Sequence, residues 1–186
     1  MKRSFSNVFI QKLLIALVIC HLNALFIQAN TYYISSSEGS DANNGLSQSQ
    51  PFYSLNKLNS MTFTPGDSIC FKSGDYWEGM FWLKGSGSIL NPVVVSSYGG
   101  EVKPVINGFG FQACILLYND EYIEINDLEL YNEDSHLDSL GNIKKLVGFE
   151  GPSNTWGSGK NVRFGIKVVF DMISSNGFKF NNLNIH

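Results

Sequence analysis

The chain has 186 residues, of which 44% are hydrophobic and 16% are charged. This composition excludes a disordered protein, which would carry more charge and fewer apolar residues. Three cysteines are too few for a small disulfide-rich domain, and a formal net charge of −3 argues against a general nucleic-acid binder. The length suits one domain.

The N-terminus has the pattern of a targeting segment. Lys2 and Arg3 precede the uncharged run LLIALVI at residues 13–19, and Ala29 supplies a small residue before Asn30. The pattern predicts a signal peptide over residues 1–29. The apolar run is too short for a membrane anchor, and lipid attachment at Cys20 is a weaker alternative. We therefore expect a protein that is secreted, periplasmic or at the cell surface, with no membrane span after the signal is removed.

The charge of residues 30–186 is unevenly distributed. Residues 30–143 hold 4 lysines against 14 acidic residues, a net charge of −10, and residues 144–186 hold 6 basic residues against 2 acidic ones, a net charge of +4. The basic part is either a solvated edge or a surface that attracts an anionic ligand such as an acidic polysaccharide. Cys70 and Cys114 could form a disulfide in an exported protein, or each could be a buried free thiol.

Short apolar segments separated by turns predict a β protein. Alternating or β-branched runs predict strands at 31–35, 68–72, 80–83, 93–97 and 105–106. Residues 36–51 consist mostly of turn-forming residues; the 41–45 stretch lacks the spaced carboxylates of a calcium loop, so a plain turn is favoured. The spacing of Phe52, Leu55 and Leu58 predicts a short amphipathic helix over residues 52–58.

An internal repeat is the most informative feature of the sequence. Residues 115–117 and 123–130 recur 55 positions later, at 170–172 and 178–185, with every apolar position again apolar. Each unit has an apolar alternation, a polar bend that begins with Asn126 or Asn181, and a second alternation. Asn tolerates left-handed backbone angles, so we expect it to turn the chain there. Stacked coils of this kind bury a continuous apolar column. The inward side chains are predicted to be Ile123, Ile125, Leu128, Leu130, Phe178, Phe180, Leu183 and Ile185, with Glu124 and Glu129 outside.

Several segments together resemble secreted right-handed parallel β-helix proteins of the pectate-lyase-like superfamily. They are TYYISSSEGSDANNGLSQSQPFYSLNKLN, TPGDSICFKSGDYWEG, NPVVVSSYGGEVKPVING and ILLYNDEYIEINDLELYN. The resemblance implies an all-β solenoid with a short N-terminal capping helix. It also implies that residues 30–186 are the N-terminal part of such a domain, truncated at His186, and that calcium could bind in the full-length family. Because the family includes lyases, hydrolases and non-catalytic members, no catalytic residue is carried over.

Candidate catalytic residues are few. Asp134, His136 and Asp138 share one loop and could ligate a metal or act as acid and base, although a polar surface loop is the simpler interpretation. Residues 148–160 are rich in Gly and Ser and are interpreted as an insertion. Lys160 at its end and Arg163 just after it could neutralise a uronate carboxylate during β-elimination, or could be solvated charges around the insertion. The aromatic residues of YWEGMFW could stack on sugar rings or fill the core. They are Tyr76, Trp77, Phe81 and Trp82.

The function predicted from these features is that of an exported carbohydrate-active protein. We expect a polysaccharide lyase or a glycoside hydrolase, with a polysaccharide or oligosaccharide as partner and no nucleic acid. A non-catalytic glycan-binding or adhesive solenoid is the alternative. The 186-residue chain alone is expected to be inactive and to self-associate, because catalysis needs paired groups in one cleft and an uncapped solenoid end exposes apolar side chains.

Overall fold

The computed structural model of the chain describes residues 28–132, 163–171 and 174–186. These residues form one short helix, α1 (Leu55–Asn59), and twelve strands. The strands are β1 (Thr31–Ile34), β2 (Ser68–Lys72), β3 (Tyr76–Glu78), β4 (Phe81–Leu83), β5 (Val93–Tyr98), β6 (Val105–Asn107), β7 (Ala113–Tyr118), β8 (Ile123–Asn126), β9 (Glu129–Tyr131), β10 (Phe164–Val169), β11 (Lys179–Asn181) and β12 (Asn184–Ile185). The protein is therefore all-β apart from one short helix.

The strands form three sheets in which every pairing is parallel. The first sheet has the order β1-β2-β5-β8-β11, the second β3-β6-β9-β12, and the third β4-β7-β10. From β2 onward the chain visits the first, second and third sheets in turn, and each such circuit forms one coil. Neighbouring strands of a sheet lie about 4.8 Å apart, so each coil lies directly on the one before it.

Alternating side chains build the core between the sheets. In β2, Ile69 and Phe71 are fully buried while their neighbours in the strand are partly exposed. The rings of Trp77 and Phe81 pack edge-on against Phe71, with centroid distances of 5.1 and 5.8 Å. In the middle coil, Ile123, Ile125, Leu128 and Leu130 are all fully buried, as predicted. The period-two pattern thus directs one row of each strand into a common apolar column.

The repeat of 55 residues is confirmed for two strand pairs. Phe180 pairs with Ile125 in the first sheet, and Ile185 pairs with Leu130 in the second. Glu124 lies outside the core and forms an ion pair with Lys179, its partner in the same register. A side chain 55 positions later thus occupies the equivalent place in the next coil.

The repeat fails in the third sheet. Ile115 and Leu117 were predicted to correspond to Phe170 and Met172, but they pair with Ile166 and Val168 of β10. Phe170 lies beyond the strand and is exposed, and Met172 lies outside the described residues. Paired residues of β7 and β10 are therefore 51 positions apart, whereas those of β8 and β11 are 55 apart. The difference arises because the connection from β10 to β11 is four residues longer than the one from β7 to β8.

The last described coil is only partly covered. Phe178 and Leu183 pack against the core, but Phe180 and Ile185 are 44% and 55% exposed. Both were predicted to point inward, and they lie in register with the inward residues Ile125 and Leu130, but neither is buried. No described strand pairs with the far edge of β11 or β12, so nothing in the described residues covers them.

The polar bend uses its second residue, not its first, for the left-handed conformation. Asn126 ends β8, whereas Asp127 has a φ of 59°; in the next coil Asn182 has a φ of 50°. The expectation that Asn126 and Asn181 supply the left-handed angle is therefore wrong. The first residue of each bend keeps its place in the ladder, and the second turns the chain toward the next sheet.

The helix begins later than the apolar spacing predicts. Phe52 is not helical; it forms an isolated parallel bridge with Ile34. Ser54 has an extended backbone and caps α1, because its hydroxyl accepts a hydrogen bond from the Lys57 amide at 3.2 Å. Leu55 contributes to the core, but α1 has only five residues, and its role as a cap of the solenoid stays a prediction.

The signal peptide predicted for residues 1–29 lies almost entirely outside the described residues, as does Cys20. None of the helices in the described ranges has the length and hydropathy needed to cross a membrane.

Candidate functional site

Most residues of the predicted catalytic loops lie outside the described residues. These are Asp134, His136, Asp138, Lys160 and the whole 148–160 segment. The acid–base and metal roles considered for them remain predictions. Arg163 is described and lies half-buried just before β10.

The aromatic cluster predicted from YWEGMFW is divided among three environments. Phe81 is fully buried, and Trp77 points into the same core. Tyr76 points outward from β3 and is 45% exposed. Trp82 lies on the outer side of the third sheet, where the Lys84 ammonium is 4.7 Å from its ring centroid. Of these four residues, Tyr76 is therefore the one exposed at the second sheet, whereas Trp77 lines the same site with only 5% of its surface exposed.

The outer side of the second sheet carries a mixed polar and aromatic surface, called here the β3 face. Trp77, Ile106 and Leu130 point inward from its three longer strands, so their neighbours in each strand point outward. Parallel register arranges the outward side chains in two rows. One row consists of Tyr76, Val105, Glu129 and Asn184, and the other of Glu78, Asn107 and Tyr131.

Hydrogen bonds hold the aromatic group at the start of the β3 face. The Asn107 side-chain amide donates to the Tyr76 hydroxyl at 2.7 Å. That hydroxyl donates in turn to the Glu78 carboxylate at 3.3 Å. Asn107 is itself 6% exposed, and its side-chain oxygen accepts a hydrogen bond from the Phe109 backbone amide at 2.8 Å. A buried amide therefore fixes the position of an exposed ring.

A cleft of about 390 Å³ lies between the start of α1 and the β3 face. Ligand-binding pockets are typically about 300–1,000 Å³, so the cleft is large enough for a small ligand group. The residues that line it combine aromatic rings, hydroxyl groups, an amide and a single carboxylate. They are Ser36, Tyr53, Ser54, Leu55, Asn56, Tyr76, Trp77 and Glu78.

Asp41 anchors the helix side of the cleft. Its carboxylate accepts from the backbone amides of Tyr53 and Ser54, both at 2.9 Å, and from the Ser54 hydroxyl at 2.5 Å. Partial burial opposes ionisation of Asp41, but these hydrogen bonds outweigh it and lower its pKa. The 41–45 stretch was predicted to be a plain turn. It includes Asp41, whose hydrogen bonds hold Tyr53 and Ser54 in place at one wall of the cleft.

The outer side of the third sheet holds a second cluster, around Lys167. This lysine is 7% exposed; its ammonium donates to the Gln112 side-chain oxygen at 2.8 Å and lies 5.0 Å from the Phe164 ring centroid. Burial lowers the pKa of Lys167 to about 8. An amine of this kind is chemically suited to proton transfer near neutral pH, although its burial separates it from bulk solvent.

Sequence analysis missed Lys167, as it missed Asp120 between β7 and β8. Asp120 is buried and accepts from the backbone amides of Gly85 and Tyr118, at 2.8 and 2.9 Å. Burial raises its pKa to about 6. The position of Lys167 inside the apolar run FGIKVVF could have indicated that it is buried. Nothing in the sequence distinguished Asp120 from the other aspartates in turns. The hydrogen bond from Gly85 joins two coils, and the one from Tyr118 holds the turn after β7, which indicates a structural role.

Metal and disulfide sites are not seen in the part of the chain that the structure describes. Its His, Cys, Asp and Glu side chains form no group of three that could hold a metal ion. Cys70 and Cys114 are both free thiols there. The Cys70 thiol lies 3.6 Å from the Ser96 hydroxyl, and the Cys114 thiol donates to the Tyr131 carbonyl at 3.3 Å. Both cysteines are therefore free thiols in the structure, with Cys114 buried and Cys70 only partly buried.

Comparison with known proteins identifies similar carbohydrate-active enzymes. No family model matches the chain. A lacto-N-biosidase from Bifidobacterium longum subsp. longum is 31% identical over 133 residues. Two crystal structures of GH136 lacto-N-biosidase from Eubacterium ramulus, a native and a selenomethionine form, match with TM-scores of 0.66 and 0.65 at 24% identity. The chain is thus similar to a glycoside hydrolase in sequence and shares its fold with part of another.

The matches cover much of this chain but little of the relatives. The B. longum match covers 56% of this chain and 8% of the relative, and the E. ramulus matches cover 84% of this chain and 27% of the solved chains. Of the two reactions expected from sequence, this similarity supports a glycoside hydrolase.

Proposed function

We propose that this chain forms coils of a right-handed parallel β-helix in an exported glycoside hydrolase that acts on oligosaccharides. The observation that carries the proposal is the combined similarity to lacto-N-biosidases in sequence and in fold. By this proposal the substrate is an oligosaccharide that ends in lacto-N-biose.

The sheet topology supports the β-helix. Three parallel sheets are visited in turn, and an apolar column runs through the coils, as in a solenoid. Crossovers between parallel strands of one sheet are right-handed in nearly all proteins, which favours the right-handed form. Export is proposed from the basic and apolar N-terminus alone.

The β3 face supports an interaction with sugars. Tyr53 and Tyr76 expose aromatic rings beside Glu78 in one cleft. Aromatic rings pack against the apolar faces of sugars, carboxylates accept hydrogen bonds from sugar hydroxyl groups, and side-chain amides both accept and donate them. This combination suits a neutral carbohydrate.

A second candidate function is non-catalytic glycan binding. Glycoside hydrolysis ordinarily needs two carboxyl groups on either side of the scissile bond. The residues that line the cleft include one carboxylate, Glu78. This observation favours binding over cleavage at the cleft itself, and hydrolysis would then require acids outside it.

The experiment compares the complete product of the gene with the 186-residue chain. Both are incubated with a lacto-N-biose-terminated tetrasaccharide, xylan, pectin, alginate and chondroitin; binding is measured by calorimetry, and the products are analysed for released sugars and for unsaturated ends. Release of a disaccharide from the tetrasaccharide by the complete product is expected. Binding without release by both forms would support the second candidate. Unsaturated ends, or neither binding nor release, would contradict the proposed hydrolase.

A further inference from the structure

We propose that the cleft between α1 and the β3 face is a sugar-binding subsite that holds one ring of a neutral oligosaccharide without cleaving it. This inference rests on the proposed function and adds a site and a ligand preference to it. The subsite is formed by Tyr53, Asn56, Tyr76 and Glu78, with Trp77 at its base.

The exposure of the two tyrosine rings is the first argument. Tyr53 is 51% exposed and Tyr76 is 45% exposed, although both rings are large enough to fill core positions. They reach the cleft from different elements, Tyr53 from the residues before α1 and Tyr76 from β3. Two rings from separate elements in one concave site can contact a sugar ring from two sides.

The rigidity of the site is the second argument. The Trp77 indole N–H donates to the Tyr53 carbonyl at 3.0 Å, and Asp41 binds the Tyr53 amide, so the backbone of Tyr53 is held on both sides. The amide of buried Asn107 holds the Tyr76 hydroxyl at 2.7 Å. A site whose rings are already fixed loses less conformational entropy when a ligand binds.

The polar groups of the cleft complement hydroxyl groups. The Glu78 side chain is a hydrogen-bond acceptor that already receives one bond, from the Tyr76 hydroxyl, and a carboxylate has further acceptor positions. Asn56 is exposed at the cleft and carries both donor and acceptor atoms. Glu78 and Asn56 therefore offer acceptor positions that suit the hydroxyl donors of a sugar.

The charge around the cleft selects against acidic sugars. Residues 28–132 carry 11 acidic residues and 4 lysines, a net charge of −7. Glu78 is the charged residue of the cleft lining. A uronate would meet like charge there, whereas a neutral sugar would not. The preference expected here differs from the acidic polysaccharide considered for the basic 144–186 part of the chain.

The test measures binding by the 186-residue chain with saturation-transfer NMR and calorimetry. The probes are a neutral lacto-N-biose-terminated tetrasaccharide and a trigalacturonate. The variants Tyr53→Ala and Glu78→Gln remove a ring and a carboxylate, and Glu101→Gln is the matched control at an exposed position away from the cleft. Thermal melting shows whether each variant is folded.

We expect the chain to bind the neutral probe and the Glu101→Gln control to bind it equally well. Tyr53→Ala and Glu78→Gln should each weaken binding about tenfold, as for a central contact residue. Trigalacturonate should bind at least about tenfold more weakly than the neutral probe, and Glu78→Gln should narrow that difference.

Three results would overturn the inference: no binding of the neutral probe, equal binding by folded cleft variants and the control, or a preference for trigalacturonate. Disaccharide release by the complete gene product would still support the proposed function in each case. Conversely, binding at the cleft with no release from any substrate would support the subsite and contradict the hydrolase.

Discussion

The Asn181 side-chain amide donates to the Asn126 side-chain oxygen at 2.7 Å, one coil above it. The neighbouring pair repeats this contact, because Asn182 donates to Asp127 at the same distance. Both hydrogen bonds join residues 55 positions apart in sequence. They place the polar bends of two coils in register, just as strand pairing places the apolar rows.

The inward row of the middle coil should carry much of the stability. Leu128 is fully buried in the core, so Leu128→Ala should lower the free energy of unfolding by about 2–5 kcal/mol through lost burial and a residual cavity. Leu90 is 84% exposed, and Leu90→Ala should change it by less than about 0.5 kcal/mol. Urea denaturation monitored by circular dichroism measures both. Equal effects of the two substitutions would contradict the assignment of inward and outward positions.

The left-handed backbone conformation at Asp127 should make the stability of the protein depend on which residue occupies this position. Its φ of 59° is unfavourable for a β-branched residue and accessible to glycine. Asp127→Val should therefore lower the free energy of unfolding by about 1–2 kcal/mol more than Asp127→Gly does. Both variants lose the hydrogen bond from Asn182, so their difference in urea denaturation isolates the backbone conformation. A valine variant as stable as the glycine variant would show that the bend relaxes.

Stability should depend on pH through Asp120. Burial raises the pKa of Asp120 from 3.8 to about 6. Because the folded value lies above the unfolded one, its contribution to the free energy of unfolding is complete below about pH 4 and is lost as the pH rises through about 6. The difference between the folded and unfolded pKa values of Asp120 corresponds to about 3 kcal/mol in the free energy of unfolding. We expect the stability of the protein relative to Asp120→Asn to fall by up to that amount between pH 4 and 7. Urea titrations across this range provide the measurement, and a constant difference would contradict the burial argument.

The two described cysteines should differ in reactivity without forming a pair. Burial raises the pKa of Cys114 to about 12 and also raises that of Cys70, whose thiol is less deeply buried. Because the thiolate is the reactive form, iodoacetamide at pH 8 should leave Cys114 unmodified in the folded protein and modify Cys70 slowly. Peptide mass spectrometry follows each site, with the urea-unfolded chain as the control. A peptide that links Cys70 to Cys114 under non-reducing conditions would contradict the structure.

The apolar periodicity of the sequence predicted an all-β protein of stacked coils, and the resemblance to β-helix proteins implied that the strands are parallel. Alternation in residues 123–130 determined which side chains are buried, because a strand directs neighbouring residues to opposite sides. The repeat at 178–185 predicted the pairing of β8 with β11 and of β9 with β12, because equal spacing brings equivalent residues together in successive coils.

Tertiary contacts decided the features that local patterns leave open. Phe52 has a helical spacing with Leu55, but its bridge to Ile34 draws it out of α1. Alternation along β3 and β4 directs Phe81 inward and Tyr76 outward, but only the packing of α1 beside β3 places Tyr76 in a cleft. Likewise, the burial of Lys167 and Asp120 depends on chain segments distant in sequence, because desolvation is set by what packs around a group and not by its neighbours in the chain.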